Sequence, residues 1–455
     1  MRWAVERFDL VVIGAGAGGL NSAFTAAQRG KKVALIEQAK PGGECTWTGC
    51  IPSKALIQIA KDVRVAQKFA AVTPDTAKVM EKVRALIERA HQSEAVPVLE
   101  EAGIAFIQGT ALFKQAKVLS VGDRELQAEN VVIATGSRAA VPDIPGLATV
   151  PYLTNENFFH LEKLPSSVIV LGAGAIGVEL SQAMQRLGVK VTLIDQAEHI
   201  LPREEAEFGS AVQEILSAEG VTVHVCCVAD SVRQDSDGIS VLTRCNGNLS
   251  ELKAEAIFVA LGRRPNVHTL NLADVGIRFD AGGIVVDEYC ETSVKRVYAV
   301  GDVVGPYLFS HTAGHQARSL IRNLYGASQQ PIKLDNHAWS TFCEPEMARC
   351  GLTEEQARKT HGDNVRVYNA SYADLDRAVV DQKTTGMAKI ICDDRGKILG
   401  ASILGERACE LLCEIQVLKQ HDIALQALQE AIHPYPGYSE LLLGLSLEAY
   451  GDLEH

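Results

Sequence analysis

Two stretches of the chain carry the same order of apolar and polar positions. Residues 8–38 (FDLVVIGAGAGGLNSAFTAAQRGKKVALIEQ) open with a continuous apolar run and cross a glycine-rich turn. They continue through an alanine-rich stretch and close with a second apolar run. Residues 166–196 (SSVIVLGAGAIGVELSQAMQRLGVKVTLIDQ) repeat the design. Short apolar runs bounded by turn residues predict strands covered on both faces, and the stretch between them predicts a helix. Each segment therefore reads as a strand–helix–strand unit of a parallel sheet. The glycines form G-x-G-x-x-G in both: Gly14, Gly16 and Gly19, then Gly172, Gly174 and Gly177. An acid ends each second run, Glu37 and Asp195, 23 residues after the first glycine in both cases. Such glycines allow a tight turn and close backbone approach, the helix N-terminus faces a pyrophosphate, and the acid can bind ribose hydroxyls. One such match is weak, because tight turns also use glycine. Two in full register predict two dinucleotide sites.

Further apolar runs complete each unit. Residues 128–146 (AENVVIATGSRAAVPDIPG) enter an A-T-G turn at Ala134, Thr135 and Gly136, and residues 256–266 (AIFVALGRRPN) match that piece after the second unit. Residues 297–305 (VYAVGDVVG) put Asp302 just past a strand. From about Asn336 neither fingerprint appears, and strand-like runs (MAKIICD, KILGASILG) precede a helical one (ACELLCEIQVLKQ), which suggests a separate α+β domain. The expected fold is α/β, with two Rossmann-like dinucleotide-binding domains and a C-terminal α+β domain. The expected boundaries are 1–150, 151–275, a return to the first domain over 276–335, and 336–452.

Composition narrows the function classes. The 455 residues are 47% apolar and 22% charged, with net charge −12 and no long run of either sign. Nucleic acid is excluded as a partner, because phosphate neutralisation needs clustered Lys and Arg. No apolar run approaches the roughly 20 residues that span a bilayer, and the first strand starts too early to leave room for a signal peptide. A cytoplasmic enzyme without membrane contact is expected. Eleven cysteines, an odd number and mostly in apolar context, argue against a secreted disulfide framework.

Cys45 and Cys50 alone sit in a stretch built around them, GGECTWTGCIPSK, with Gly43 second in it and Lys54 at its end. The order of this motif, the two fingerprints, A-T-G-S, G-R-x-P-N and G-D resembles the flavoprotein disulfide reductases, or class I pyridine nucleotide-disulfide oxidoreductases. That family includes dihydrolipoyl dehydrogenase, glutathione reductase and mercuric reductase, and the resemblance covers essentially the whole chain. The physics of the pair agrees. Zinc wants four ligands, and no second Cys/His pair at ligand spacing accompanies this one, so no metal site is expected. A static staple across five residues closes too short a loop to stabilise much. Residues 50–63 instead read as a helix beginning at the pair, where the backbone dipole can favour a thiolate.

The resemblance implies roles. Cys45 attacks the substrate, and Cys50 lies against the flavin. Lys54 sits beside the flavin and pairs with Glu179 of the second fingerprint. FAD takes Gly14, Gly16, Gly19, Glu37, Gly43, Lys54, Ala134, Thr135, Gly136, Asp302 and His311. A nicotinamide dinucleotide takes Gly172, Gly174, Gly177, Asp195, Gly262 and Arg263. Asp195 suits a 2′-hydroxyl and repels a 2′-phosphate, so NAD is expected over NADP, with Arg203 the nearest residue that could oppose it. The C-terminal domain makes a homodimer and brings its HPYPGYSE segment to the cysteine pair of the other chain.

That segment departs from the dihydrolipoyl dehydrogenase pattern H-P-T-x-S/A-E. With Glu440 on the family glutamate, Tyr435 occupies the place of the base histidine, and His433 lies two residues earlier. A histidine near pKa 6.5 accepts a thiol proton at neutral pH, whereas a tyrosine near 10 ordinarily does not. Tyrosine here resembles mercuric reductases, but no cysteine pair follows at the C-terminus, and Cys409 and Cys413, at i and i+4 on one helical face, read as buried packing ahead of a small metal site. The expectation is a dihydrolipoyl dehydrogenase-like enzyme acting on free or protein-bound lipoamide, with His433 or Tyr435 doing the base work beside Glu440. The alternatives are a mercuric-reductase-like enzyme, a reductase of another disulfide, or a diaphorase whose cysteines do not turn over.

Overall fold

The computed structural model describes residues 5–236 and 238–454. Residues 1–4, with which the first expected domain begins, lie outside the described residues. Strand Glu6–Ile13 lies between Val33–Glu37 and Arg124–Ile133, parallel to both, at the centre of a seven-stranded sheet. Val297–Ala299 returns to that sheet and pairs with Arg124–Ile133. The helix between the first two strands, α1 (Ala17–Ala27), packs against the sheet with Leu20, Ala23 and Ala26 buried.

The second fingerprint builds a four-stranded parallel sheet from Thr222–His224, Lys190–Ile194, Ser167–Leu171 and Ala256–Val259. A three-stranded antiparallel sheet (Cys227–Asp235, Gly238–Cys245, Asn248–Ala254) is inserted before its last strand. The C-terminal part forms a five-stranded antiparallel sheet from residues 338–405, whose strand Ile398–Gly405 is buried at every position. The architecture is α/β with a C-terminal α+β layer. Among the described residues no helix is long and apolar enough to cross a membrane.

The two fingerprints fold alike because each is wedged against the turn that completes it. Gly14 has φ +98°, and a Cβ there would stand 2.4 Å from the Ala134 carbonyl oxygen. Gly172 has φ +101°, with the same 2.4 Å clearance to the Ala260 oxygen. The third glycine of each motif admits no side chain at all: a Cβ on Gly177 would fall 1.9 Å from the Gly172 oxygen. Gly174, by contrast, has nothing within 4 Å of its ideal Cβ.

This difference generates a prediction. Gly177→Ala should destabilise the protein by about 1–3 kcal/mol through forced displacement of backbone. Gly174→Ala, at a helix N-cap, should cost less than about 1 kcal/mol. Thermal unfolding followed by circular dichroism should rank the two in that order.

Candidate active site

A cavity of about 1560 Å³ runs from the first fingerprint to the cysteine pair and on to the C-terminal domain. Its fingerprint end is shaped by hydrogen bonds the sequence pattern implies. The Glu37 carboxylate accepts from the backbone N–H of Ala15 (2.8 Å) and Ala39 (2.9 Å), which holds it at the turn. Asp195 does the same in the second unit, accepting from Ala173 (2.6 Å) and Ala197 (2.8 Å). Gly43, at φ +61°, lets its backbone touch Gly16, where a Cβ would come within 2.5 Å.

The A-T-G turn and the G-R-R-P-N stretch meet. Ser137–Ala139 and Arg263–Pro265 pair as antiparallel strands, the Thr135 hydroxyl donates to the Asn266 carbonyl (2.9 Å), and Ala140 N–H donates to the Gly262 carbonyl (2.9 Å). Arg263, expected with the second nucleotide, points its guanidinium into the first cleft. There it forks onto Glu44, receives company from Ser137 (2.8 Å) and lies 3.5 Å from Asp302. Burial pushes the Asp302 carboxyl up, while the 2.6 Å hydrogen bond from Ser137 and the Arg263 charge pull it down. Glu44 and Ser137 were not singled out in the sequence. Glu44 occupies a motif position that tolerates any residue, so it carried no signal.

The cysteines sit where two helices begin. Cys50 is the first residue of α2 (Cys50–Ala66), and Cys45 lies in the short helix Gly43–Trp47 just before it. Both are half-buried free thiols lining the cavity. The Cys50 sulfur is 3.5 Å from the hydroxyl of Ser310, the first residue of α4 (Ser310–Tyr325; α3 is Ala175–Arg186). The hydrogen bond from Cys45 lowers the Cys50 pKa most. Burial opposes it, and Ser310 and the Lys54 ammonium lower it further. The same hydrogen bond and burial raise Cys45. The pair is thus asymmetric, with the charge resident on Cys50.

Below the pair, Lys54 Nζ is 2.8 Å from Glu179 Oε2 and 4.5 Å from the Phe342 ring centroid. Glu179, whose side chain is only 5% exposed, uses its other oxygen to accept from Phe342 N–H (2.7 Å). His311, second in α4, stacks against the rings of Phe309 and His337, at 5.3 and 5.2 Å, and its Nε2 is 2.8 Å from the Ala338 oxygen.

The C-terminal residues behave differently. Within one chain, His433, Tyr435 and Glu440 do not line the cysteine cavity. Glu440 opens helix α6 (Glu440–Glu454, after α5, Ala408–Gln420) and turns back to cap its start, accepting from Gly437 N–H at 3.0 Å. The carboxylate beside His433 is that of Glu414 on α5, at 3.2 Å. Glu414 lies 19 residues away, and no motif could have announced it. Tyr435 donates to Asp376 (2.9 Å) and is 71% exposed, next to a fully exposed Ile432. Cys409 and Cys413 also depart from expectation. Cys409 is half-buried, Cys413 is exposed, and both line the cavity of the active pair, because α5 forms one of its walls.

Residues 8–330 match the pyridine nucleotide-disulphide oxidoreductase family, and residues 337–444 match its dimerisation domain. The chain belongs to the pyridine nucleotide-disulphide oxidoreductases. It is 31% identical to a mercuric reductase of Staphylococcus aureus over 97% of this chain and 82% of the relative. It is equally 31% identical to a dihydrolipoyl dehydrogenase of Bacillus subtilis (strain 168), over 98% of this chain and 99% of the relative. The fold is similar to that of the HOCl-induced flavoprotein disulfide reductase RclA from Escherichia coli in its Cu(II) complex, with TM-score 0.89 and 29% identity over 98% of this chain and 100% of that one. This family of oxidoreductases uses FAD and NAD(P)H. The glycine-lined cleft, the Glu37 carboxylate and the length of the cavity fit FAD at the first fingerprint.

Two predictions follow from this geometry. Lys54→Met strands the buried Glu179 carboxylate and should destabilise by about 1–3 kcal/mol. Lys54→Met combined with Glu179→Gln should recover much of that loss, and denaturant unfolding of the four proteins measures the coupling. Second, Cys50 should stay ionised below the ordinary thiol range near pH 8.5 and protonate only as the pH falls through its lowered pKa. Ultraviolet thiolate absorbance of the reduced protein, referenced to Cys50→Ser, reads that titration.

Proposed function

We propose that this protein, as a homodimer, moves electron pairs between NAD(H) and a dithiol/disulfide substrate through Cys45 and Cys50. A lipoamide-like disulfide is the first candidate. The observation that carries this reading is the thiol pair itself: two adjacent helix starts and the Lys54 ammonium converge on Cys50, inside the cavity of the first fingerprint. The Cys45 sulfur attacks one substrate sulfur, forming a mixed disulfide and releasing the other as a thiol. Cys50 then attacks Cys45, forming the Cys45–Cys50 disulfide and releasing the second substrate thiol. Each departing sulfur takes one proton. FAD, when bound, relays the electron pair that NADH provides to reduce the protein disulfide again.

His433 is the proposed proton carrier, held by Glu414, and it acts on the cysteine pair of the other chain. The matched dimerisation domain supports this arrangement, as do the exposed Ile432 and Tyr435 on either side of His433, which one chain leaves uncovered. Asp195 at the second fingerprint favours a free ribose hydroxyl, and Arg203 is exposed. A second reading, reduction of a thiophilic metal ion as substrate, is favoured by Cys409 and Cys413 in the wall of the same cavity.

The deciding measurement is kcat/KM with lipoamide, oxidised glutathione and mercuric ion, each with NADH and NADPH. Lipoamide with NADH should lead, with NADH preferred over NADPH by about tenfold or more. His433→Ala should lower lipoamide turnover by about 10²-fold or more, and Tyr435→Phe far less. A preference for mercuric ion would establish the second reading.

A further inference from the structure

A second group of cysteines lies far from the active pair in sequence, in the unit built by the second fingerprint. Cys227 and Cys245 face each other across adjacent antiparallel strands and are joined as a disulfide, with Cα atoms 4.1 Å apart. The His224 ring stands against them: one nitrogen of His224 and the two sulfurs all lie within 4.8 Å of one another. His224 and Cys245 are half-buried and Cys227 is buried, so the group is sheltered on one side and open to solvent on the other. Among the described residues the His224 side chain has no hydrogen-bond, ion-pair or ring partner. It points an unused donor at two sulfurs.

We propose that His224, Cys227 and Cys245 form a binding site for a soft, thiophilic metal cation, open when the two cysteines are reduced and closed by their disulfide. The donor set is two thiolates and one imidazole, the chemistry that selects Zn²⁺, Cd²⁺ or Cu⁺ over hard cations. Metal–sulfur bonds of about 2.3 Å at a tetrahedral centre place the two sulfurs roughly 3.8 Å apart, a separation reached by side-chain rotation once the S–S bond is gone. The imidazole nitrogen then completes three corners, and the exposed side leaves the fourth to water. Reduction consumes two electrons and two protons and makes two thiols. A small dithiol supplies them and is itself oxidised to a disulfide. A divalent cation then displaces the two thiol protons.

Backbone hydrogen bonds hold His224 and Cys227 in place without the ion, and strand pairing sets Cys245 opposite Cys227. Asp195 N–H donates to the His224 carbonyl (2.9 Å), Cys227 N–H donates to the Asp195 carbonyl (2.8 Å), and Cys226 N–H donates to the Ala197 carbonyl (2.8 Å). The site is therefore built onto the same short loop that presents the Asp195 carboxylate at the second fingerprint. Cys226, although adjacent in sequence, is not one of the converging donors.

Cadmium is the probe, because its thiolate complexes absorb in the ultraviolet. The holoenzyme carrying Cys45→Ser and Cys50→Ser, which removes the active pair from the signal, is titrated with Cd²⁺ before and after reduction by a phosphine. Reduction should create one additional tight site per chain. Adding Cys227→Ser and Cys245→Ser should abolish it, His224→Gln should weaken it by at least the roughly tenfold that even an outer-shell partner is worth, and Cys226→Ser should leave it unchanged. Equal binding before and after reduction, or binding indifferent to His224→Gln, overturns the proposal. In the unsubstituted chain after reduction, Cd²⁺ should shield Cys227 and Cys245 from alkylation mapped by mass spectrometry. Their full labelling in the presence of Cd²⁺ overturns the proposal without recourse to any variant.

Discussion

The Lys54–Glu179 ion pair is the contact on which the arrangement of the molecule depends. Lys54 comes from the helix that starts at the active cysteines, Glu179 from the helix of the second fingerprint, and the amide on Glu179's free oxygen from Phe342 at the edge of the C-terminal sheet. A carboxylate this buried is costly to leave unpaired, so all three parts of the chain must be in place together. Around the pair, Leu56 and Ile59 of α2 pack into one apolar cluster with Val178 and Met184 of α3 and with Met347 and Leu404 of the C-terminal sheet. A second ionic knot lies nearby, where Glu344 meets Arg186, Lys61 and Lys383. Burial raises its carboxyl, but those three cations hold it down at about 2.

That constraint organises the site. With α2 locked against α3, the start of α2 lies beside that of α4, and the Cys50 sulfur sits 3.5 Å from the Ser310 hydroxyl. The asymmetry of the thiols follows from the same placement, since Lys54 is both the anchor of the ion pair and one of the charges that favour a thiolate on Cys50. Structure and reactivity share a residue. The Arg263–Glu44–Asp302 group does comparable work at the other end, tying the G-R-R-P-N stretch of the second unit to the cleft of the first.

The proposed substrate end is held on a different part of the molecule. His433, Tyr435 and Glu440 are ordered on their own C-terminal domain by Glu414, Asp376 and the Gly437 amide, with Ile432 and Tyr435 turned outward. Relatives named mercuric reductase and dihydrolipoyl dehydrogenase stand at the same 31% identity, so overall similarity shows the family and not the substrate.

The α/β class, the two fingerprints and the acid ending each unit were legible in the amino-acid order alone, while the pairing of Lys54 with Glu179 came only with the family resemblance. The first three rest on local rules: the third glycine of each motif faces the carbonyl of the first, and the acids close onto the turn they follow. The partners that come from afar were not legible. Glu44 under Arg263, Ser310 beside Cys50, Glu414 beside His433 and the meeting of His224 with Cys227 and Cys245 join residues whose nearness no periodicity encodes. Cys409 and Cys413 looked like packing because i, i+4 spacing marks a helix face without saying what that face meets. Spacing along the chain determines which turns and helices form. Only the packing of one unit on another decides which side chains share a dielectric, a proton or a charge.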